Sequence, residues 1–161
     1  MSREKQDTGI KLRPPRDGVL SGGAWRAYLS GPKATPYEGC VYAVDIRLPT
    51  NYPYDPPTMM FVNRCWHPNI GVNGHVCVDI LQREWAPSLT ILKILMSVQS
   101  LLDDPDPRSP LNGPAADMYR AAKANRDWDR YRQMIQAKST ELYRLTEEER
   151  RFDPEQSVIL D

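Results

Sequence analysis

The stretch "PSLTILKILMSVQSLLDD", residues 87–104, decides the fold of this chain. Its apolar residues recur at intervals of three and four, which is the spacing of one face of an α-helix. They cover so much of the helix surface that we predict a helix in the protein interior. Pro87 and Ser88 are common at helix starts, so we predict that this central helix begins there.

Upstream of the central helix, runs of strand-forming residues alternate with turn clusters. These runs are "AWRAYL" (24–29), "CVYAVDIRL" (40–48) and "TMMFV" (58–62). Their spacing from Ile10 onward is typical of an antiparallel meander. The prolines of the proline-dense segment 48–57 lack backbone donors, so we predict that it forms a surface loop outside the sheet.

Downstream, "DPDPRSPLNGP" (104–114) breaks the helical pattern, and two polar amphipathic helices are predicted from about residue 115 to 151. Strands followed by helices indicate an α+β fold, with a four-stranded antiparallel meander packed on the central helix. We predict one domain over residues 1–145 and a charged helical extension or tail over 146–161. Residues 1–9 have no apolar stripe, so an N-terminal helix is predicted to be missing or short.

The composition limits the classes of function. The 161 residues are 40% hydrophobic, which suits one sizeable core, and 21 Lys and Arg balance 21 Asp and Glu. No net positive field favours nucleic acid or a membrane as partner, and no apolar run is long enough to cross a bilayer. Three cysteines without a leader segment favour a reducing compartment, so we expect a cytoplasmic location, with the nucleus as the alternative.

The segment "WHPNIGVNGHVCVDIL" (66–81) contains both histidines, and Cys65 precedes it. Cys65-x-His67 and His75-x-Cys77 resemble two pairs of zinc ligands, but the segment lacks the cysteine spacing of a zinc knuckle. We therefore expect no metal and no cofactor. A His75–Cys77 dyad is disfavoured, because side chains two apart on a strand stand about 7 Å from each other.

Six motifs in this order and spacing resemble the ubiquitin-conjugating enzymes, over roughly residues 25 to 135. They are "TPYEG" (35–39), "YPYDPP" (52–57), "HPN" (67–69), "CVDIL" (77–81), "WAPSLTI" (85–91) and "QSLLDDPDPRSPLN" (99–112). The resemblance implies the α+β UBC fold. It also implies that Cys77 accepts ubiquitin, or a ubiquitin-like modifier, from the activating enzyme as a thioester. Transfer to a substrate lysine follows, usually with a ligase.

A thioester carrier needs no histidine base beside its sulfur, because the acyl group is already activated and the thiolate is a good leaving group. The chain lacks the insertion after "CVDIL" that SUMO-conjugating enzymes show, which favours ubiquitin itself. Two other hypotheses remain open: a catalytically silent binding module and a small zinc-binding structural domain.

The resemblance also assigns roles around Cys77. Asn69 matches the HPN asparagine, which either stabilises the oxyanion or holds the active-site loop. His67 and Pro68 are its structural neighbours, and Asp79 is positioned to orient the incoming lysine. His75 is expected to be an incidental loop residue. Cys40 and Cys65 match no motif and are expected to be small buried thiols.

Ser109 departs from the family pattern. It stands where many members carry an Asp that helps to lower the pKa of the substrate lysine, and a serine has no charge for that task. Because Pro110 follows it, proline-directed phosphorylation of Ser109 would restore negative charge at this position, which we call the gate.

Two binding surfaces follow from the resemblance. Tyr54, Pro87 and Ser88 match the two loops that meet RING-type ligases, and an aromatic beside a proline turn makes a rigid anchor. Three residues one turn apart on the central helix match the face that receives donor ubiquitin: Lys93, Met96 and Ser100. The absence of an N-terminal amphipathic helix would alter the contact with the activating enzyme.

Overall fold

Four strands form one antiparallel sheet in chain order. The computed structural model describes residues 9–14 and 24–138. The strands are β1 (Ile10–Arg13), β2 (Trp25–Ser30), β3 (Val41–Arg47) and β4 (Thr58–Phe61). This confirms the predicted four-stranded meander. The predicted loss of the N-terminal helix concerns residues 1–8, which lie outside the described part.

One face of the sheet forms the core with the central helix. The register pairs Ala27 with Val44 and Val44 with Phe61, so these three buried residues lie in one row across the sheet. The helix packs on that face with a set of buried apolar residues: Ile91, Ile94, Leu95, Val98 and Leu102. The central helix therefore lies where its wide apolar surface predicts.

In the part of the chain that the structure describes, four helices follow the sheet: α1 (Val78–Glu84), α2 (Ile91–Asp103), α3 (Gly113–Asn125) and α4 (Asp129–Lys138). The central helix α2 begins at Ile91, so the predicted start at Pro87 and Ser88 is wrong. Thr90 caps α2 because its side chain accepts a hydrogen bond from the Lys93 N–H (3.2 Å). The preceding residues form a turn in which Leu89 N donates to the Ala86 carbonyl.

The two C-terminal helices are described as far as Lys138, and the predicted continuation to residue 151 lies outside the described part. Asn112 caps α3 by accepting from the Ala115 N–H, and Arg126 ends it in the left-handed conformation, at φ 53°. The division into a domain over 1–145 and a tail over 146–161 stays a prediction, because residues 139–161 lie outside the described part. Among the described helices, none has the length and apolarity that a membrane span requires.

Candidate active site

Cys77 stands at the N-terminus of α1, a helix that we did not predict. The helix forms because "CVDIL" places Ile80 and Leu81 on the buried side and Asp79 on the exposed side. The Leu81 N–H donates to the Cys77 carbonyl, which closes the first turn. Cys77 makes no side-chain cap and is 6% exposed. Its thiol is therefore nearly buried at the start of a short helix.

Asn69 holds the active-site loop, which we define as residues 104–112. Its buried side-chain amide donates both protons of Nδ2, one to the Asp106 carbonyl (2.8 Å) and one to the Ser109 carbonyl (3.0 Å). Its Oδ1 accepts from the Asp106 N–H at 2.8 Å. Both donors are thus committed to the loop, which favours the second of the two roles that the resemblance allows for Asn69.

His67 is fully hydrogen-bonded inside the protein. Its Nδ1 accepts from the Asn69 N–H (2.9 Å), so the ring proton lies on Nε2, which donates to the Leu101 carbonyl. Burial lowers the pKa of His67 to about 4, although the bond to Leu101 opposes this shift. His67 is therefore a neutral brace between the HPN segment and α2, and its lone pair is not available to a catalytic proton.

This burial predicts a dependence of stability on pH. The pKa of His67 falls from 6.5 to about 4 on folding, so below pH 6.5 the unfolded chain takes up a proton that the folded chain refuses. Stability is fully present above pH 6.5 and falls as the pH drops toward 4, by about 3 kcal/mol for this residue. Urea unfolding at several pH values between 7 and 4 measures the loss.

A His67→Gln variant is the reference for this measurement, because glutamine does not titrate and retains an amide donor. Other groups titrate equally in both proteins. The stability difference between wild type and variant should therefore shrink as the pH falls from 6.5 to 4. A difference that stays constant over this range would contradict a neutral buried His67.

Two residues of this region were not predicted as functional: Asp106 and Arg83. The Asp106 carboxylate accepts from Arg83 Nη2 at 2.9 Å, and Arg83 belongs to the last turn of α1. It also accepts from the side chain of Arg108. "DPDP" signals a helix break in the sequence, and nothing local in it shows that the second Asp meets α1.

Tyr37 of the "TPYEG" motif is a second brace that we did not assign. Its hydroxyl donates to the Trp66 carbonyl and lies 2.6 Å from the hydroxyl of Tyr131 in α4. Its ring packs on His67, with 5.6 Å between ring centroids. Burial raises the pKa of Tyr37 well above its usual value, so the hydroxyl stays protonated. A buried tyrosine thus ties the HPN segment to the C-terminal helices.

The other two cysteines match no motif, and the structure places them in different surroundings. Cys65 is buried in the core, and this burial raises the pKa of its thiol, which keeps it protonated. Cys40 is half-buried, so the expectation of a buried thiol is wrong for it. His75 is exposed, as expected for an incidental loop residue. Within residues 9–14 and 24–138, no group of three His, Cys, Asp or Glu side chains could hold a metal ion.

The two loops assigned to ligase binding are joined to each other. Trp85 Nε1 donates to the Pro53 carbonyl at 2.9 Å, and the Trp85 ring packs on Tyr52. Segment 48–57 is a surface loop as predicted, and it contains a cis Tyr52–Pro53 bond. At its tip Tyr54 is 78% exposed. Pro87 and Ser88 are also exposed, and Trp85, two residues before Pro87, joins the two loops.

The outer face of α2 carries the three residues assigned to donor ubiquitin. Lys93, Met96 and Ser100 are all exposed, whereas Leu95, which points to the sheet, is fully buried. Met96 is a large apolar side chain in water, flanked by polar neighbours. The helix thus separates a core face from a solvent face that can bind a partner.

The protein has the UBC fold. This fold is defined by a four-stranded meander on a central helix, a cysteine before a short helix, and an HPN asparagine that holds the next loop. The model of the family described as "Ubiquitin-conjugating enzyme" matches residues 2–137. The chain therefore belongs to the ubiquitin-conjugating enzyme family.

Individual relatives agree with this. The chain is 38% identical over 118 residues to "Ubiquitin-conjugating enzyme E2 1" of Caenorhabditis elegans, and the match covers 73% of this chain and 60% of that protein. The chain thus spans well under two thirds of that relative's length. The E2 domain of a Toxoplasma gondii ubiquitin-conjugating enzyme superposes with a TM-score of 0.69 at 36% identity, covering 84% of this chain and 89% of that one.

A second solved structure is the ubiquitin-conjugating enzyme Pex4p of H. polymorpha, determined in complex with the soluble domain of Pex22p. It matches with a TM-score of 0.71 at 29% identity, covering 84% of each chain. These similarities establish the α+β UBC fold and the family of this chain.

Proposed function

We propose that this chain carries ubiquitin as a thioester on Cys77 and transfers it to substrate lysines. The observation that carries the proposal is a thiol at the start of α1, a helix that Arg83 joins to the loop fixed by Asn69. His67 has both ring nitrogens bonded elsewhere, so it does not serve Cys77 as a base. This suits acyl transfer and does not favour hydrolysis.

The chemistry has two steps. First, the Cys77 thiolate attacks the thioester that joins ubiquitin to the activating enzyme, and the enzyme's sulfur leaves as a thiolate. Second, the neutral amine of a substrate lysine attacks the Cys77 thioester. The carbon–sulfur bond breaks, an amide forms, the amine loses a proton to solvent, and Cys77 leaves as a thiolate. Position and oxyanion stabilisation are what the protein must supply.

The roles of the remaining site residues follow from this scheme. Asp79 is exposed in the first turn of α1, two residues after Cys77, where its carboxylate can orient the lysine amine. Asn69 keeps the loop beside the thioester, with His67 and Pro68 as its support. We propose ubiquitin as the modifier, and a cytoplasmic location in keeping with the free thiols of all three cysteines.

The direct test is loading. The purified chain, incubated with ubiquitin, its activating enzyme and ATP, should gain one ubiquitin in a band that a thiol reductant removes. A panel of ubiquitin-like modifiers with their own activating enzymes tests the choice of modifier. Absence of an adduct with every modifier would overturn the carrier function and favour a silent binding module.

RING-type ligases are the proposed partners of the joined loops. Truncation of the exposed Tyr54 to Ala should lower ligase-stimulated discharge about tenfold, because an aromatic anchor at an interface contributes strongly to binding. Discharge without ligase should not change. Stimulation is measured with a panel of RING-type ligases and ubiquitin-loaded protein.

Val72→Ala is the matched control for Tyr54. Val72 is 79% exposed and lies in the turn before His75, outside the two segments that contain Tyr54, Pro87 and Ser88. This variant should retain full stimulation. If Tyr54→Ala responds to every stimulating ligase as the wild type does, the assignment of this surface is wrong.

The gate residue Ser109 gives a further prediction. Ser109 is half-buried and its carbonyl is held by Asn69, so its side chain has a fixed place at the active-site loop. A Ser109→Asp variant should discharge to free lysine a few-fold faster, since a carboxylate there can attract and orient the incoming amine. Single-turnover discharge measures the rate.

Ser109→Asn separates charge from shape at the gate, because asparagine has the size of aspartate without its charge. It should stay at the wild-type rate. An unchanged or slower rate in Ser109→Asp would count against a charge-dependent gate, and with it against activation by phosphorylation of Ser109.

A further inference from the structure

Asp106 lies between two parts of the active site that are distant in sequence. On one side, both of its main-chain groups bind the Asn69 side chain: its N–H donates to Oδ1 and its carbonyl accepts from Nδ2, each at 2.8 Å. The HPN segment therefore holds the main chain of Asp106 independently of the contacts that the Asp106 side chain makes.

On the other side, the Asp106 carboxylate binds α1. Its Oδ2 accepts from Arg83 Nη2 at 2.9 Å. Arg83 is in the last turn of the seven-residue helix that Cys77 begins. A helix of this length is only about 10 Å long and has little stability of its own, so its orientation depends on side-chain contacts with its surroundings.

The Asp106 carboxylate also binds a second arginine, which lies in its own loop. Arg108 donates to it from its own N–H (2.9 Å), from Nε (3.0 Å) and from Nη2 (2.8 Å). These bonds, with that of Arg83, lower the pKa of Asp106 to about 2, so the group is ionised at any physiological pH. Arg108 lies in the same loop as Asp106, so these bonds are local to the loop.

We propose that Arg83 and Asp106 are positioning residues, which hold α1 and the Cys77 thioester in register with the loop fixed by Asn69 during transfer to lysine. The proposal deepens the proposed function and rests on it. The chain of contacts runs from Cys77 along α1 to Arg83, then to Asp106, and ends at Asn69. These contacts link the helix that Cys77 begins to the side chain of Asn69.

This role has a distinct signature. An ion pair in which Arg83 is 36% exposed adds little to stability. A small displacement of the reacting atoms can nonetheless slow a reaction by about a hundredfold. Loss of Arg83 should therefore leave the melting temperature and the extent of loading unchanged while it slows discharge.

The experiment measures loading and single-turnover discharge to free lysine over a range of lysine concentrations. Arg83→Met and Asp106→Asn should each lower the maximal discharge rate about tenfold with an unchanged lysine KM. Asp106→Asn keeps both main-chain bonds to Asn69. The double variant should be no slower than either single variant, and Arg83→Lys should recover part of the rate.

Arg108→Met is the matched control, because it removes an arginine from the same carboxylate and leaves the link to α1 in place. It should stay within twofold of wild type. A wild-type rate in Arg83→Met, or an equal loss in Arg108→Met, would overturn the proposal. If the wild type loads no ubiquitin at all, the proposed function itself fails and the positioning role fails with it.

Discussion

Substitution of Cys77 should have the largest effect of any single change. A Cys77→Ala variant is expected to form no detectable adduct with ubiquitin, because the only atom proposed to hold the acyl group is gone. A Cys77→Ser variant should form an adduct that resists thiol reductant, since an oxyester forms in place of the thioester. Non-reducing gels with and without reductant, followed by brief treatment with hydroxide, measure both results.

The other cysteines are the controls for Cys77. Cys40→Ala and Cys65→Ala should each load to the wild-type extent, since Cys65 is buried and protonated and Cys40 belongs to no motif. Cys65→Ala should lose some stability, because Cys65 packs in the core. An adduct that persists in Cys77→Ala, or that disappears in Cys40→Ala, would place the acceptor elsewhere.

Loss of the Asn69 side chain should have the second largest effect. Asn69→Ala removes three hydrogen bonds, and the main-chain groups of Asp106 and Ser109 lose their partner. Discharge to lysine should fall about a hundredfold, because a displacement of about 1 Å in the groups around the reacting atoms can slow a reaction by that factor. The melting temperature should also fall, because unsatisfied polar groups cost about 1–3 kcal/mol.

The two readouts separate the two roles of Asn69. Loss of loop support lowers both the discharge rate and the melting temperature, whereas a direct bond to the oxyanion would lower the rate alone. Asn73→Ala is a matched control, since Asn73 is an exposed asparagine whose Oδ1 accepts from the nearby His75 N–H. It should discharge at the wild-type rate. An unimpaired rate in Asn69→Ala would remove Asn69 from the mechanism.

The sequence supports the choice of Cys77 and Asn69 more fully than it supports the contacts that Asn69 makes. Cys77 and Asn69 are recognisable from their motifs alone, because "HPN" and "CVDIL" are contiguous and correctly spaced. The bonds of Asn69 to Asp106 and Ser109 are not recognisable from the sequence, since these residues are 37 and 40 positions away from Asn69. Its role as holder of the loop follows only from the folded arrangement.

The same limit applies to helix boundaries. The apolar period correctly predicted a buried central helix, yet its start is set by the Thr90 side chain and lies past Pro87 and Ser88. Helix α1 was not predicted because seven residues give too few turns for a periodic signal. Its place depends on the burial of Ile80 and Leu81 by other segments.

The sequence by itself predicted the α+β class and the strand order, and its resemblance to the family singled out Cys77 as the proposed acceptor. Periodicity reports which side of each element is apolar, and a motif of fixed spacing reports which residues lie together locally. Only the tertiary structure decided that Arg83 binds Asp106 and that Tyr37 binds Tyr131. It also decided that Asn69 donates both of its side-chain hydrogen bonds to the active-site loop. These contacts join residues far apart in the chain, and their geometry exists only once the shared core has brought the segments together.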